Sequence, residues 1–252
     1  LTVPALLIPS SAATNGSAYL VDAGSLHVLH SFNAFPSSYP AVAWSPDGGE
    51  LALAQGKAAV QVFDAAGQEL VETFNLPGVA TRALEWLPGG EVVAGDDRGR
   101  IDFFVHGQGA PVRTFTPAQP HKAVNSLGAS PDGKTIAAAY DDGAVLLIDA
   151  GTGRQLRELP MGRETGALAW SPNGRLLAVT SVAFDLRIFD VNAGGLVDRQ
   201  DLGYDTNGTA WSPDGRYLAL GVDDHTFRMY QVQPAQGAVS ASPYSPPSYM
   251  GR

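Results

Sequence analysis

Three pairs of adjacent aspartates are the first residues in this chain that could do chemistry: Asp96-Asp97, Asp141-Asp142 and Asp223-Asp224. Paired carboxylates can share a proton or hold a cation. Calcium, however, wants six or more oxygens, and neighbours in a tight turn seldom converge on one ion. Turn capping is the expected role. Asp22, Asp64, Asp149 and Asp190 each end an apolar stretch and begin a turn, so they read the same way. The five histidines are His27, His30, His106, His121 and His225. None forms a pair with metal-ligand spacing, and His27 and His30 fall on opposite faces of a strand. There is no Gly-x-Ser-x-Gly elbow, P-loop or dinucleotide fingerprint, so nucleophilic and phosphoryl chemistry have no motif behind them. The absence of cysteine removes thiolate chemistry and disulfides. No catalytic, metal or cofactor-binding residue is assigned on these grounds.

What must position such residues is a repeat. Ser45-Pro46-Asp47-Gly48 recurs as Ser130-Pro131-Asp132-Gly133, Ser171-Pro172-Asn173-Gly174 and Ser212-Pro213-Asp214-Gly215, with a degenerate copy at Leu87-Pro88-Gly89-Gly90. The copies start at 45, 87, 130, 171 and 212, at intervals of 42, 43, 41 and 41 residues. A fixed period of this length marks a repeat architecture.

Each repeat reads as four short strands with turn signals between them. In the clearest, Val124–Ala129 leads into the Ser-Pro-Asp-Gly turn, and Thr135–Tyr140 follows. Asp141-Asp142-Gly143 makes a tight turn into Ala144–Ile148, and Gln155–Leu159 is the outer strand. The N-terminus joins the pattern partway, with Ala5–Ile8, Ala18–Val21 and His27–Phe32 in the second, third and fourth places. Six units of about 42 residues fill the 252-residue chain. The strand missing from the first unit is expected from within Val239–Met250, which would close a ring and remove its exposed edges. The expected organisation is one domain over residues 1–242, with residues 243–252 as a Pro-rich tail or closing segment.

Composition sets the outer bounds. At 44% hydrophobic and 16% charged, the chain has ample material for a core. A formal charge of −9 argues against nucleic acid, whose phosphates need clustered Lys and Arg. No apolar stretch is long enough to cross a membrane as a helix. Thirteen Arg against three Lys, with abundant Ala and Gly, reads as a GC-rich bacterial source. The Leu1 start is read as favouring an exported or cell-envelope location over a cytoplasmic one, which stays open.

Taken together, the Ser-Pro-Asp-Gly turns, the Asp-Asp-Gly turn and the strands ending in Asp (Val60–Asp64, Val145–Asp149, Leu186–Asp190) resemble the WD40-type β-propeller family over nearly the whole chain. The resemblance implies an all-β propeller, most simply of six blades of four antiparallel strands, with one blade closed by strands from both termini. It also implies a non-catalytic platform for protein–protein contact, which here could be a subunit of a larger bacterial assembly. The chain departs from the family in two ways. Only His121, preceded by Pro120, stands where the family often has Gly-His, and Phe63, Ile148 and Phe189 replace the family's Trp before the closing Asp. Of the family's buried His–Ser/Thr–Asp–Trp network, His121 and Asp142 are the expected remnant.

Trp44, Trp86, Trp170 and Trp211 share one repeat position, which suits packing between blades better than an aromatic cage. The remaining candidates lie on the ring face that carries the loops before each first strand and the hairpin tips. They are Tyr39, Arg82, Lys122, Arg163 and Tyr204 from the loops, with Phe184 and His225 at the tips. Lys57 and Arg98 occupy further tips. Phe184 stands where the preceding unit has Gly143, so a large apolar side chain caps an exposed hairpin. Tyr and Arg flanking an apolar anchor suit a protein-binding surface. The alternative is a propeller enzyme or metal binder working through the central funnel. Lactonase-like propellers do so with acidic, Asn and His residues, and Asn125, Glu164, Asp205 and Asn207 are the nearest counterparts.

Overall fold

The structure is a computed structural model that describes residues 5–10, 16–22, 24–25, 27–35, 41–55, 59–66, 69–76, 78–222, 227–235 and 238–243. Every regular element among them is a strand. The first sheet has three strands, β1 (Ala5–Ser10), β2 (Gly16–Asp22) and β3 (Val28–Phe35). The second holds β4 (Val42–Trp44), β5 (Glu50–Gln55), β6 (Ala59–Asp64) and β7 (Leu70–Asn75). In the third are β8 (Thr81–Trp86), β9 (Val92–Asp96), β10 (Ile101–Phe104) and β11 (Arg113–Phe115). The fourth comprises β12 (Val124–Ala129), β13 (Thr135–Tyr140), β14 (Ala144–Asp149) and β15 (Gln155–Pro160). The fifth is built from β16 (Thr165–Trp170), β17 (Leu176–Ser181), β18 (Asp185–Asp190) and β19 (Gly195–Asp201). The sixth contains β20 (Thr206–Trp211), β21 (Tyr217–Val222), β22 (Phe227–Ala235) and β23 (Ala238–Pro243). All pairings are antiparallel between sequence neighbours, as the turn signals require.

The core lies between sheets. One apolar cluster joins the first and second sheets through Leu20, Phe32, Leu51 and Leu53. Others join the second to the third, the third to the fourth, the fourth to the fifth and the fifth to the sixth. The first strands β4, β8, β12, β16 and β20 lie against one another in succession, so the sheets converge on their first strands. This explains the near-continuous burial of the middle strands: a sheet covered on both faces needs no polar alternation.

The Ser-Pro-Asp-Gly turns are small hydrogen-bonded machines. Ser130 Oγ donates to Asp132 Oδ1 at 2.7 Å and accepts from Thr135 N at 2.9 Å, while Asp132 Oδ1 also accepts from Lys134 N at 3.1 Å. The same three bonds recur around Ser45, Ser171 and Ser212, with Asn173 serving for Asp in the fifth sheet. Bonds from the Ser hydroxyl and the following N–H hold Asp132 and Asp214 below the usual carboxylate range. The Leu87-Pro88-Gly89-Gly90 copy keeps only backbone bonds and is one residue shorter, with Leu87 N reaching Glu91 O where Ser45 N reaches Glu50 O. Successive turns also nest. A Cβ added to Gly133, Gly174 or Gly215 would lie 3.3, 3.5 or 3.6 Å from Pro88, Pro131 or Pro172 of the preceding sheet. Ser130→Ala removes one acceptor and one donor from a part-buried site. It is expected to cost about 1–2 kcal/mol, read as a lower urea midpoint at unchanged slope.

The last sheet departs from the expected frame. Strand β22 runs on to Ala235 and β23 pairs with it over Ala238–Pro243. Of the stretch expected to close the ring, residues 239–243 are used in β23, and 244–250 lie outside the described residues.

Candidate interaction face

One end of the stack carries the second hairpins and the loops leading into the first strands. In the third, fourth and fifth sheets the hairpin tip lies against the lead-in loop of the next sheet. A Cβ on Gly99 would meet Lys122 O at 2.6 Å, and one on Gly143 would meet Arg163 O at 2.4 Å. Both glycines have positive φ, +80° and +90°. Phe184 occupies the same place with φ +66°, the one non-glycine residue with positive φ among those described. A bulky side chain in this region is strained by about 1–3 kcal/mol and persists where its surroundings hold it. Here they do: Phe184 N donates to Ser181 O, and Phe184 O accepts from Leu202 N at 2.6 Å. Beneath it Asp185, fully buried, accepts from Ser181 Oγ and pairs with Arg187 and Arg199 at 3.2 and 3.0 Å. The residue stays 44% exposed.

Part of the expected set lies among the described residues. Tyr204 is 48% exposed, with the Arg228 guanidinium 5.1 Å over its ring and bonded to Leu202 O. Arg163 and Glu164 are exposed in the lead-in loop of the fifth sheet, and Lys122 is exposed in that of the fourth. Arg82 is tied down, with Nη1 3.1 Å from Asp141 Oδ2 of the neighbouring sheet. Tyr39, His225, Lys57 and the pair Asp223-Asp224 lie outside the described residues.

A bulge near the start of the first strand aims these loops. The pairing skips Arg82 in β8, Asn125 in β12 and Asn207 in β20, and Gly166-Ala167 faces one partner residue in β16. Asn125 Nδ2 donates to Thr165 O of the next sheet at 2.9 Å, so this funnel candidate is a clamp between sheets. Asp205 Oδ1 and Thr206 Oγ1 are buried without a hydrogen-bond partner. Among the described residues no three His, Asp or Glu side chains form a group able to hold a metal.

The remaining expectations resolve in detail. His121 Nδ1 lies 2.9 Å from Asp142 Oδ2, which also accepts from Lys122 N. Burial opposes ionisation of Asp142, but these bonds and one from Ala144 N outweigh it and hold its carboxyl below the usual range. Trp170 Nε1 donates to Gly128 O and Trp211 Nε1 to Ala169 O, each across 42 residues to the preceding sheet. Asp22, Asp64, Asp149 and Asp190 accept backbone N–H groups two or three residues on, as turn residues do.

Three features were not anticipated. Glu85 in β8 stands where the other first strands have Ala43, Gly128, Ala169 and Ala210, and burial pushes its carboxyl up to about 7. His106 bridges Glu50 and Glu72 at 3.0 Å each. A cavity of about 760 Å³ opens between the fourth and fifth sheets, beside the Ser-Pro-Asp-Gly turns, lined in part by Leu147, Arg157, Trp170 and Val191.

Residues 105–167 match the family model for the anaphase-promoting complex subunit 4 WD40 domain. No curated protein matches the chain. Among solved structures, a chain of the "Crystal Structure of Mitotic Checkpoint Complex" aligns with a TM-score of 0.78 at 20% identity, covering 96% of this chain and 76% of that one. A chain of Kuenenia stuttgartiensis hydrazine synthase aligns with a TM-score of 0.74 at 20% identity, covering 92% and 77%. At that identity the likeness speaks for the propeller fold alone.

Proposed function

The repeats of this chain are of the WD40 type, and on that premise we propose that it is a non-catalytic scaffold that binds a protein partner within a larger assembly. Its six sheets are six blades about one axis, the first completed by a further strand. The partner docks on the face that carries Phe184, using Arg163, Tyr204, Lys122 and Arg82, with Tyr39 and His225 assigned to it from the sequence alone. The observation that carries this reading is the backbone of Phe184. An exposed phenyl ring held in a left-handed conformation, where the equivalent positions have glycine, costs stability without adding to the core. One similar structure comes from a multi-protein complex by its own description, which agrees with the scaffold reading.

Two variants test it. Phe184→Ala with Arg163→Ala weakens partner capture at least tenfold from the native source while leaving the melting temperature within about 2 °C, since both side chains are exposed. Phe184→Gly is expected to match or exceed wild-type stability by about 1 kcal/mol and to lose capture equally. Unchanged capture by the double variant would remove this surface from consideration.

A second reading rests on Asp205 Oδ1 and Thr206 Oγ1, buried and unpartnered at the start of β20. Here a small ligand or metal sits in the funnel, as in a propeller enzyme, and one of the similar structures is an enzyme by name. A stoichiometric metal in elemental analysis of the purified protein would replace the scaffold reading with this one.

A further inference from the structure

Strand pairing lets successive junctions between sheets be compared position by position. In the second, third and fourth sheets Leu51 pairs with Phe63, Val92 with Phe104 and Ile136 with Ile148. The residue before the first member of each pair is Glu50, Glu91 or Thr135. The last strand then places Glu72 opposite Val62, Arg113 opposite Phe103 and Arg157 opposite Leu147. From the following sheet, His106, Ala150 or Val191 stands two residues beyond Phe104, Ile148 or Phe189. Charged groups fill this place at the first two junctions. His106 bridges Glu50 and Glu72, and its ring lies 6.0 Å from that of Trp86, which is buried. Arg113 donates to both oxygens of Glu91, at 2.9 and 2.6 Å, and to Ala150 O.

The junction of the fourth and fifth sheets keeps the cation and lacks the acid. Thr135 stands where Glu50 and Glu91 do, and Val191 where His106 does. The cavity of about 760 Å³ lies at this place, lined by Thr135, Arg157, Val191 and Trp170 among others. Trp170, the counterpart of Trp86, is only half-buried. Arg157 Nη1 donates to Ala193 O at 3.2 Å, and among the described residues no Asp or Glu pairs with its guanidinium. Leu156, which the pairing of β15 skips, is exposed and adds to the apolar wall with Leu147. Asp132 also lines the cavity, but its charge is met where it stands. Its Oδ1 accepts from Ser130 Oγ and Lys134 N, and its Oδ2 lies 4.0 Å from Lys134 Nζ.

We infer that this cavity binds a small organic acid with an apolar body. The carboxylate meets Arg157 as Glu91 meets Arg113, and the body lies against Trp170, Leu147, Leu156 and Val191. The planar guanidinium fork suits a carboxylate held by parallel bonds, and such charge-assisted bonds are roughly twice as strong as neutral ones. The volume also fits, since pockets for small molecules run from about 300 to about 1,000 Å³. Thr135 and Leu176 begin the strands whose far ends, Tyr140 and Ser181, lead into the hairpin tips. The site is therefore at the opposite end of the strands from Phe184 and does not depend on that surface.

The test titrates the 252-residue chain with 3-phenylpropionate and with its neutral amide, 3-phenylpropionamide, following the Trp170 indole N–H by NMR. The acid should bind with a Kd of about 1 mM or tighter, and the amide about tenfold more weakly or less. Arg157→Gln, at an exposed position, should bring the acid down to the affinity of the amide. Thr135→Glu restores the carboxylate of the other junctions and should abolish binding of both probes. The Phe184→Ala, Arg163→Ala variant should bind the acid as wild type does, so failure of that surface and failure of this site are separable. Equal affinities for acid and amide overturn the inference, as does undiminished binding by Arg157→Gln or Thr135→Glu. So does the absence of any shift at about 10 mM acid.

Discussion

Replacing Glu85 by Gln should make the protein more stable at pH 8 and leave it unchanged at pH 4. Glu85 lies on β8 against the fourth sheet, where burial lifts its carboxyl from 4.5 to about 7, partly offset by a hydrogen bond from the Ala129 backbone. The folded state therefore holds a proton that the unfolded chain has released between those two values. Stability contributed at this site falls as pH rises through that window, by about 3 kcal/mol as an upper bound, since the residue is only partly buried. The Gln side chain keeps the shape and cannot ionise. Urea midpoints from pH 4 to 8.5 should diverge between wild type and Glu85→Gln from about pH 5 and run parallel above about pH 7.5. Parallel curves throughout would mean that the carboxyl is well solvated or paired.

Gly143→Ala should be among the most damaging single-methyl changes available in this chain. The new Cβ would arrive 2.4 Å from Arg163 O and 2.6 Å from both its C and N, all backbone atoms of the next sheet's lead-in loop. The φ of +90° adds strain for any side chain. Neither can be relieved by a rotamer, so the loop must move or the hairpin must open. A loss of about 3 kcal/mol or more is expected, seen as a fall in melting temperature of roughly 6–12 °C. A shift of under 2 °C would show that the hairpin and loop are not in contact. At Phe184 the same crossing already carries a Cβ, with Leu202 N bonded to Phe184 O. The two tips therefore respond oppositely to losing or gaining a side chain.

Local chemistry made much of this fold legible in the residues. Ser130-Pro131-Asp132-Gly133 closes its turn within six residues, so its meaning does not depend on distant partners. Trp170 and Trp211 were readable as packing groups because they recur at one position. The length of β22 was not readable, because Pro234 breaks the strand pattern near the end of Phe227–Ala235. Nor was the bridge from His106 to Glu50 and Glu72, which lie 56 and 34 residues away. Glu85 left a faint trace: a charged residue at a position where other repeats carry Ala or Gly. Phe184 was readable as a break in the repeat, while the clamp beneath it, Asp185 with Arg187 and Arg199, depends on which strands pair.

The two Trp ties run in one direction. Trp170 reaches back to Gly128 and Trp211 to Ala169, so each indole seeks an acceptor made earlier in synthesis. A repeat emerging from the ribosome, where chains grow at about 5–20 residues per second, meets a finished neighbour within seconds. Its lock needs no later sequence. For these indoles the cost of closing each contact is that of a loop of one repeat, whatever the length already made.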